Sequence, residues 1–313
     1  MKRFGMLGAA GFVAPRHMKA IRETGNELVA ACDPYDGVGV LDRYFPDCRF
    51  FTEVERFDRH LEKLRRRSGD QPVEYISICS PNYLHDAHCR LALRVHAHAL
   101  CEKPLVISPW NLDQLLQLEQ EYGRRIYTVL QLRLHPAVQA LKAELAARAG
   151  GERMDVELTY ITRRGPWYHH SWKGDPEKSG SLPMNIGIHF FDLLLWLFGP
   201  VERSAVHLQD DRRVAGTLEL PGARVRWFLS VAYEDLPEAS RARGQHALRA
   251  LTLGDQAFDF STGFDDLHTR VYEDVLAGGG FGVDDARASI ALVHQIRNTP
   301  TTHAGTDGHP LLR

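Results

Sequence analysis

The sequence has few cysteines and no apolar run long enough to cross a membrane. Its five cysteines form no Cys-x-x-Cys pair and are odd in number, which favours buried thiols in a reducing compartment over a disulfide framework. The longest apolar stretch, residues 186–198, contains His189 and Asp192 and is shorter than the roughly 20 residues of a membrane span. We therefore expect a cytoplasmic protein without a membrane partner, in which this stretch forms a buried helix.

An excess of charge of one sign is also lacking. The 38 basic and 40 acidic side chains are interspersed and the formal net charge is -2, so no broad field attracts nucleic acid or an anionic membrane. None of the 16 histidines sits with cysteines or carboxylates at the spacing of zinc ligands. Nucleic acid is therefore not an expected partner, and no metal is expected.

The first 130 residues alternate short apolar runs with helical patterns. Strands are predicted over residues 3–7, 28–32, 73–79, 97–101 and 126–130, and helices over residues 15–24, 53–67, 84–95 and 109–122. This alternation indicates an α/β fold with a doubly wound parallel sheet. Because 313 residues suffice for two cores, we predict one domain over residues 1–130 and a second over residues 131–313.

The rhythm changes after residue 130, where strand-like segments follow one another. Strands are predicted over residues 154–162, 205–209, 214–220, 224–233, 247–253 and 256–260, with helices over residues 136–147, 185–198, 265–276 and 284–297. Successive strands without helices between them predict an α+β domain with an open, mostly antiparallel sheet. The polar tail, residues 298–313, is expected to be loosely ordered.

The segment after the first predicted strand has the composition of a phosphate-binding turn. Small residues at Gly8, Ala10 and Gly11 let the backbone approach a pyrophosphate, and the free N–H groups around Phe12 and Val13 favour an anion at the helix start. Ala10 stands where a second glycine is usual, so the pattern is degenerate. The alternative is a tight strand–helix turn without a ligand.

Asp33 ends the second predicted strand, about 20 residues after this turn, where a carboxylate can accept hydrogen bonds from the adenosine ribose. Its charge would repel a 2′-phosphate, and Pro34 and Tyr35 provide no arginine to receive one. The combination predicts NAD as cofactor rather than NADP. The alternative is that Asp33 only caps a turn before Pro34.

Polar residues follow two further strands of the first domain. Ser80, Asn82 and His85 follow one strand, and Glu102-Lys103 follows the next, at the sheet edge where such folds place their ligands. A lysine there can stabilise a developing alkoxide or take the proton of an alcohol. The alternative is a surface Glu-Lys pair at a strand end.

The apolar helix of the second domain carries polar residues on one stripe. Asn185 and His189 are four residues apart, and Asp192 lies a further turn along. A histidine can act as general base near neutral pH, and either Asn185 or Asp192 could orient its ring. The alternative is a hydrogen-bonded core histidine.

Three segments together resemble the family of glucose–fructose oxidoreductase and inositol 2-dehydrogenase: GAAGFVA, CEKPL and SGSLPMNIGIHFFDLL. The resemblance implies a Rossmann domain followed by an α/β domain with an open sheet, and it implies catalytic roles for Lys103 and His189. It also implies a cofactor site whose residues are Gly8, Ala10, Gly11, Phe12, Val13, Asp33, Ser80, Asn82, His85, Glu102, Lys103 and Gln131. The family often has aspartate at the position of Asn185, so the proton acceptor, His189 or Lys103, stays open.

Longer segments, including ITRRGPWYHHSWKGDPEKSG, are similar to the UDP-N-acetylglucosaminuronate 3-dehydrogenases, a branch of that family that acts in bacterial O-antigen and surface-polysaccharide synthesis. This similarity implies oxidation of a UDP-sugar at C3 by NAD, reoxidation of NADH by 2-oxoglutarate in some members, and a homotetramer. The predicted substrate-binding residues are Lys103, Arg163, Tyr168, Ser171, Trp172, Asn185 and His189. They combine cations for carboxylate or diphosphate with aromatic surfaces for the rings, unless residues 163–173 are only a solvated basic loop.

Two other functions are compatible with the same residues. The chain could oxidise a free sugar, an inositol or a sugar phosphate, because the dinucleotide features do not specify the substrate. It could also bind a dinucleotide only as a sensor, although the presence of both Lys103 and His189 argues against that function.

Overall fold

A computed structural model describes residues 1–67, 71–147, 152–258 and 266–312. The chain forms two compact units: the first contains Met1–Leu134 and Asp265–Arg287, and the second contains His135–Phe264 and Ala288–Arg313. The return of Asp265–Arg287 to the first unit was not part of the sequence prediction. The division into domains at residue 130 stays a prediction.

The first unit contains a six-stranded, wholly parallel sheet, which confirms the prediction for this part of the chain. Its strands are β1 (Arg3–Leu7), β2 (Glu27–Cys32), β3 (Arg49–Phe51), β4 (Tyr75–Ile78), β5 (His98–Cys101) and β6 (Ile126–Thr128). Its helices are α1 (Ala14–Glu23), α2 (Val40–Tyr44), α3 (Val54–Arg66), α4 (His85–Arg94) and α5 (Trp110–Tyr122). Sequence analysis missed β3 and α2, because elements of three and five residues are too short to show a period.

The order of the strands, β3-β2-β1-β4-β5-β6, is that of the doubly wound dinucleotide-binding fold. Since all strands run in one direction, the loops that follow β2, β1, β4, β5 and β6 emerge side by side at one edge of the sheet. Apolar side chains of β1 and α1, such as Phe4, Met6, Met18 and Ile21, are fully buried beneath this edge. Each contributes about 1.5–3 kcal/mol of burial free energy.

The second unit contains a mixed, mostly antiparallel sheet in the order β12-β11-β7-β10-β9-β8, as predicted. Its strands are β7 (Met154–Thr162), β8 (Arg203–Gln209), β9 (Arg213–Leu220), β10 (Ala223–Ser230), β11 (Ala247–Leu253) and β12 (Gln256–Phe258). Only β7 and β10 pair in parallel among the pairs within the described stretches. The last two residues of the strand predicted over 256–260 lie outside the described residues.

The second half of the chain contains the four predicted helices and three short helices that the sequence did not predict. They are α6 (Pro136–Ala147), α7 (Trp167–His170), α8 (Pro176–Ser179), α9 (Ile188–Phe198), α10 (Glu238–Ala242), α11 (Leu267–Leu276) and α12 (Val283–Asn298). Helix α11 belongs to the first unit. Residue 265, the predicted start of α11, lies outside the described residues.

The apolar stretch before β8 is a core helix. Pro176–Phe198 is long and apolar enough for a membrane span by length and composition, but 72% of its most apolar window is buried inside the protein. Phe191 packs edge-on against the fully buried Trp227, with 5.1 Å between the ring centroids. This confirms the prediction of a buried helix.

The start of this helix differs from the prediction. Helix α9 begins at Ile188, and Asn185 lies before it in a π-helical turn, Pro183–Gly187. Asn185 and His189 are therefore not one α-helical turn apart, as their spacing suggested. Gly187 allows the turn to approach the sheet, since a Cβ there would lie 2.6 Å from Cδ1 of Leu229.

The end of the tail is packed around His309, which corrects the expectation of loose order there, whereas residues 300–303 and 305–307 are exposed. His309 is 1% exposed, its Nε2 lies 2.9 Å from the Thr159 hydroxyl, and its ring stacks on Phe228. Burial lowers the pKa of His309 to about 4. The contact with β7 and β10 therefore requires a neutral imidazole.

We predict that stability falls in acid partly through His309. The unfolded histidine titrates near 6.5 and the folded one near 4, so its contribution is present above pH 6.5 and lost as pH falls through about 4. The loss amounts to about 1.4 kcal/mol per pKa unit. His309→Gln should therefore lose less stability between pH 7 and pH 4 in denaturant titrations than the wild type does. His303→Gln, at an exposed tail histidine, should behave like the wild type; equal acid losses in both variants would contradict the assignment.

Candidate functional site

The predicted cofactor residues of the first unit all follow strands at the carboxyl edge of the parallel sheet. The glycine loop, residues 8–14, follows β1, and Asp33 follows β2. Ser80, Asn82 and His85 follow β4, Glu102 and Lys103 follow β5, and Gln131 follows β6. The strand order therefore brings side chains from five separate segments to one edge. This is where doubly wound sheets bind dinucleotides.

The glycine loop lies directly against the end of β4. Gly8 has a φ of +86°, and a Cβ there would lie 2.5 Å from the carbonyl carbon of Cys79 and the nitrogen of Ser80. Gly11 donates its N–H to the carbonyl of Gly8 at 3.0 Å. Phe12 is 92% exposed beside this turn. Gly8 thus lets the backbone of the loop lie against the backbone that follows β4, as in the tight turn of dinucleotide-binding folds.

The carboxylate of Asp33 joins the loop to the end of β2. One oxygen accepts the N–H of Ala10 at 3.0 Å, and the other accepts the N–H of Tyr35 at 2.9 Å. Asp33 therefore does cap a turn, as the alternative interpretation held. A carboxylate has about four acceptor positions, so acceptor capacity remains for ribose hydroxyls.

One buried atom at this edge has an unmet hydrogen-bonding requirement. Oε1 of Gln131 is buried and has no hydrogen-bond partner among the residues that the structure describes. Buried carbonyl oxygens are normally paired, so this atom is suited to accept from a bound ligand such as a carboxamide. The close backbone approach at Gly8 and this buried oxygen both fit a dinucleotide at this edge.

We predict that Gly8→Ala weakens NADH binding by more than about tenfold, since the new Cβ meets backbone atoms that cannot turn away and the strained φ adds roughly 1–3 kcal/mol. Fluorescence titration with NADH and the thermal midpoint measure the two effects. Gly39→Ala is the control, because a Cβ there meets nothing within 4 Å. Unchanged affinity in Gly8→Ala would show that the loop does not contact the cofactor.

Glu102 is the centre of a buried group that we call the histidine–glutamate network: His17, Glu102, His268 and Tyr272. Oε1 of Glu102 lies 3.0 Å from Nε2 of His17 and 3.0 Å from Nε2 of His268. Nδ1 of His17 lies 2.8 Å from the Tyr272 hydroxyl, which lies 2.6 Å from the Ser77 hydroxyl. Burial opposes ionisation of Glu102, but the hydrogen bonds from the two imidazoles outweigh it and hold the pKa of Glu102 well below its usual range.

The ring of His85 joins the ends of β4 and β5. Its Nδ1 lies 2.6 Å from the carbonyl oxygen of Pro104, and its Nε2 lies 2.8 Å from that of Ser80. Burial lowers the pKa of His85, while both carbonyls favour the charged ring. A neutral ring donates to one carbonyl at a time, and only an imidazolium donates to both. Ser80 is engaged as well, since its hydroxyl lies 2.8 Å from Nδ1 of His88.

The sequence predicted that Glu102 and His85 line the cofactor, and this stays a prediction; in the structure their polar atoms contact protein groups. His17, His88, His268 and Tyr272 were missed. A signal existed for three of them: His17 lies among buried apolar residues of α1, and His268 and Tyr272 are one turn apart on the buried face of α11. The sequence could not show that these two helices share Glu102 as a partner.

The network also has the composition of a metal site. The ligand atoms of His17, Glu102 and His268 lie within 4.8 Å of one another, and all three residues are buried. Two imidazoles and a carboxylate would suit a zinc-type cation. The same three groups satisfy one another by hydrogen bonding, because each imidazole N–H has the carboxylate as its acceptor. Spacing along the chain could not reveal this group, because the three residues lie far apart in the sequence.

In the second unit, Tyr168 and Asn185 form a direct pair. The side-chain amide of Asn185 donates to the Tyr168 hydroxyl at 2.8 Å, and burial raises the pKa of Tyr168. His189 is half-buried, with its ring edge-on to Tyr160 at 6.0 Å. The amide of Asn185 thus contacts a phenol. Whether Asn185 or Asp192 orients His189 stays a prediction.

Over residues 163–173, cations lie beside aromatic rings. The Arg163 guanidinium lies 4.9 Å from the ring of Tyr233, and Nζ of Lys173 lies 4.2 Å from the ring of Trp172. Burial, with a smaller effect of the Arg164 charge, lowers the pKa of Lys173. Ser171 turns inward, and its hydroxyl donates to the carbonyl of Tyr168 at 2.9 Å. Cation–π contacts with Tyr233 and Trp172 therefore restrain Arg163 and Lys173, so these two cations are not freely solvated.

Lys103 lies in the first unit, and His189 and the other predicted substrate residues lie in the second. The structure brings the predicted cofactor residues together at one sheet edge, and it brings Tyr168 together with Asn185. The expectation that Lys103 and His189 act at the same nicotinamide stays a prediction.

Two family models match the chain. The model described as an oxidoreductase family with an NAD-binding Rossmann fold matches residues 2–130, and the model of that family's C-terminal alpha/beta domain matches residues 151–245. Among curated relatives, the chain is 24% identical to a 1,5-anhydro-D-fructose reductase of Ensifer adhaerens over 66% of its length. Over 63% of its own length, the chain is 26% identical to a glucose-6-phosphate 3-dehydrogenase of Bacillus subtilis. The chain spans 60% and 54% of these two relatives.

Among solved structures, two of the WlbA (WbpB) dehydrogenase from Thermus thermophilus are similar over the whole chain. One contains NAD and alpha-ketoglutarate, with 48% identity, a TM-score of 0.95 and complete coverage of both chains. The other contains NAD and UDP-GlcNAcA, with 49% identity, a TM-score of 0.94 and 99% coverage of both chains.

Proposed function

Because the chain belongs to the Gfo/Idh/MocA oxidoreductase family, we propose that it is an NAD-dependent dehydrogenase that oxidises the C3 hydroxyl of UDP-N-acetylglucosaminuronic acid (UDP-GlcNAcA) to a ketone. The observation that carries the proposal is the likeness, along the whole chain, to the Thermus thermophilus dehydrogenase whose structure contains NAD and UDP-GlcNAcA. The carboxyl edge of the parallel sheet supports the same conclusion, because its glycine loop, the carboxylate of Asp33 and the buried amide oxygen of Gln131 suit a dinucleotide.

The cofactor NAD is held by the first unit. The backbone of the glycine loop receives the pyrophosphate, and Asp33 accepts from the adenosine ribose. Gln131 accepts from the carboxamide with its buried Oε1. The negative charge of Asp33 excludes a 2′-phosphate, which makes NAD rather than NADP the cofactor.

Lys103 and His189 act on the hydroxyl group that is oxidised. When bound, NAD accepts the hydride that leaves C3 of the sugar. Lys103 stabilises the negative charge that develops on the C3 oxygen, an effect that is largest in a site shielded from water. The hydroxyl proton passes to His189 or to Lys103, and Asn185 orients the hydroxyl rather than raising the basicity of His189.

The uridine diphosphate and the uronate are bound by the second unit. Arg163 and the neighbouring cations receive anionic groups of the substrate, and Trp172 offers an aromatic face. Tyr168 and Ser171 shape this region through their hydrogen bonds with Asn185 and with the backbone. A substrate with two anionic groups and two rings fits this composition better than a free sugar does.

A second reaction is favoured by one observation, the alpha-ketoglutarate in the Thermus thermophilus structure. We propose that NADH is reoxidised by 2-oxoglutarate, whose keto group takes the hydride and a proton and becomes a 2-hydroxy acid. The protein is proposed to act in the cytoplasm as a homotetramer, in the synthesis of bacterial O-antigen or other surface polysaccharide. Gel filtration with light scattering tests the tetramer.

We predict that UDP-GlcNAcA supports reduction of NAD by the purified protein and that 2-oxoglutarate raises the extent of turnover. NADH absorbance measures the first effect, and chromatographic detection of 2-hydroxyglutarate measures the second. Glucose 6-phosphate, myo-inositol and free glucuronic acid are the matched alternatives. Turnover of one of them without turnover of UDP-GlcNAcA would overturn the proposed substrate, and no turnover of any would favour a sensor.

We predict that Lys103→Ala and His189→Ala each lower kcat by about 10²–10⁴-fold, the usual contribution of a group that moves a proton or stabilises charge. NADH binding should persist in both, because the glycine loop and Asp33 are unchanged. Stopped-flow measurement of NADH formation and fluorescence titration separate the two effects. Lys63→Ala and His303→Ala are surface controls; full activity of both site variants would exclude the mechanism.

A further inference from the structure

We propose that the histidine–glutamate network is a positioning device for Lys103, and that helix α11 completes it from a distant part of the chain. The inference rests on the proposed function, since it assumes that Lys103 is the reacting lysine. It gives Glu102 a role in addition to its predicted place in the cofactor site. His17, His268 and Tyr272 become positioning residues, which act on the reaction through Glu102.

Glu102 connects the network to Lys103 directly. Its Oε1 accepts from both imidazoles at 3.0 Å, and its Oε2 lies 3.2 Å from the backbone N–H of Lys103. The carboxylate therefore accepts one hydrogen bond from the lysine's own backbone and two from the network. A displacement of the carboxylate would displace the start of the Lys103 side chain.

The proton positions in the network follow from its acceptors. A carboxylate only accepts, so the Nε2 of His17 and the Nε2 of His268 carry the protons that face Glu102. Burial lowers the pKa of His17, so its ring is neutral and its Nδ1 is an acceptor. The Tyr272 hydroxyl must then donate to Nδ1, and the Ser77 hydroxyl must donate to Tyr272. In this series of hydrogen bonds, each donor is directed toward the negative charge of Glu102.

This arrangement stabilises an ionised carboxylate in a buried place, where an unpaired charge would be very unfavourable. It also restricts where the carboxylate can lie, because three N–H donors from three segments must reach it together. On the other side of Lys103, the carbonyl of Pro104 faces the ring of His85 at 2.6 Å. The backbone of Lys103 is therefore held both before and after the residue.

Helix α11 supplies half of the network. His268 and Tyr272 are four residues apart and lie on one face of the helix, beside the buried residues Leu267, Val271 and Val275. This helix lies beyond residue 245, where the match to the family's C-terminal domain ends. The first unit thus depends on a segment that follows the second sheet in sequence for the geometry of its lysine.

The test compares two substitutions of one histidine. His268→Leu removes the N–H donor, and His268→Gln places an amide N–H close to the position of Nε2. We expect His268→Leu to lower kcat about tenfold to a hundredfold, as displacement of a reacting group by about 1 Å does. The KM for UDP-GlcNAcA and the dissociation constant of NADH should stay unchanged, and His268→Gln should recover most of the rate.

The control is His98→Leu in β5, the strand that ends at Cys101 just before Glu102 and Lys103. His98 begins β5, stacks on Tyr75 at 5.0 Å and accepts the N–H of Arg125, so it is also a packed, hydrogen-bonded histidine. Its loss should lower the thermal midpoint without the selective fall in kcat. An equal fall of kcat in His268→Leu, His268→Gln and His98→Leu would mean a merely structural role and would overturn the proposal.

A second readout does not depend on the substrate. Hydrogen exchange of the Lys103 amide should be faster in His268→Leu than in wild type, and should return toward the wild-type rate in His268→Gln. Absence of UDP-GlcNAcA turnover in the wild type counts against the proposed function alone, whereas unchanged Lys103 exchange in His268→Leu counts against the positioning role. Zinc at one equivalent in the purified protein, with loss of activity on chelation, would make the group a metal site and overturn the network.

Discussion

The cofactor-binding edge depends on the approach of Gly8 to the peptide between Cys79 and Ser80. A Cβ at Gly8 would lie 2.5 Å from two backbone atoms, so only glycine lets the loop lie against the end of β4. The same approach places the N–H of Ala10 on the carboxylate of Asp33. The ends of three neighbouring strands, β2, β1 and β4, are therefore joined through a single loop.

A consequence of this edge is that several polar side chains are buried side by side, and each of them requires a partner. Glu102 finds two imidazoles and a backbone N–H, and His85 finds two carbonyls. These partners are protein atoms, so the residues that surround Lys103 serve mainly to fix it. Gln131 differs, because its buried oxygen has no hydrogen-bond partner among the residues that the structure describes. The edge thus combines residues whose polar atoms are paired with protein groups and a residue whose buried oxygen is not.

In the second unit, the corresponding constraint is the turn that precedes α9. Gly187 allows the π-helical turn to contact Leu229 and Phe191, and the turn aims the amide of Asn185 at the phenol of Tyr168. Single π turns within helices are frequent at functional sites. Because Asn185 lies in this wider π-helical turn and His189 lies in α9, the two residues are not related as neighbours on one α-helix, as their spacing had suggested.

The sequence by itself determined the two sheet types, the glycine loop, Asp33 and the polar strand ends, because periodicity, small residues and turn chemistry are local properties. It also indicated the basic and aromatic composition of residues 163–173. Only the tertiary structure decided which polar groups meet. The pairing of Glu102 with His17 and His268, the contact of Asn185 with Tyr168 and the return of α11 to the first unit join residues that are far apart along the chain. Such contacts depend on how whole elements pack, and no local pattern in the sequence carries that information.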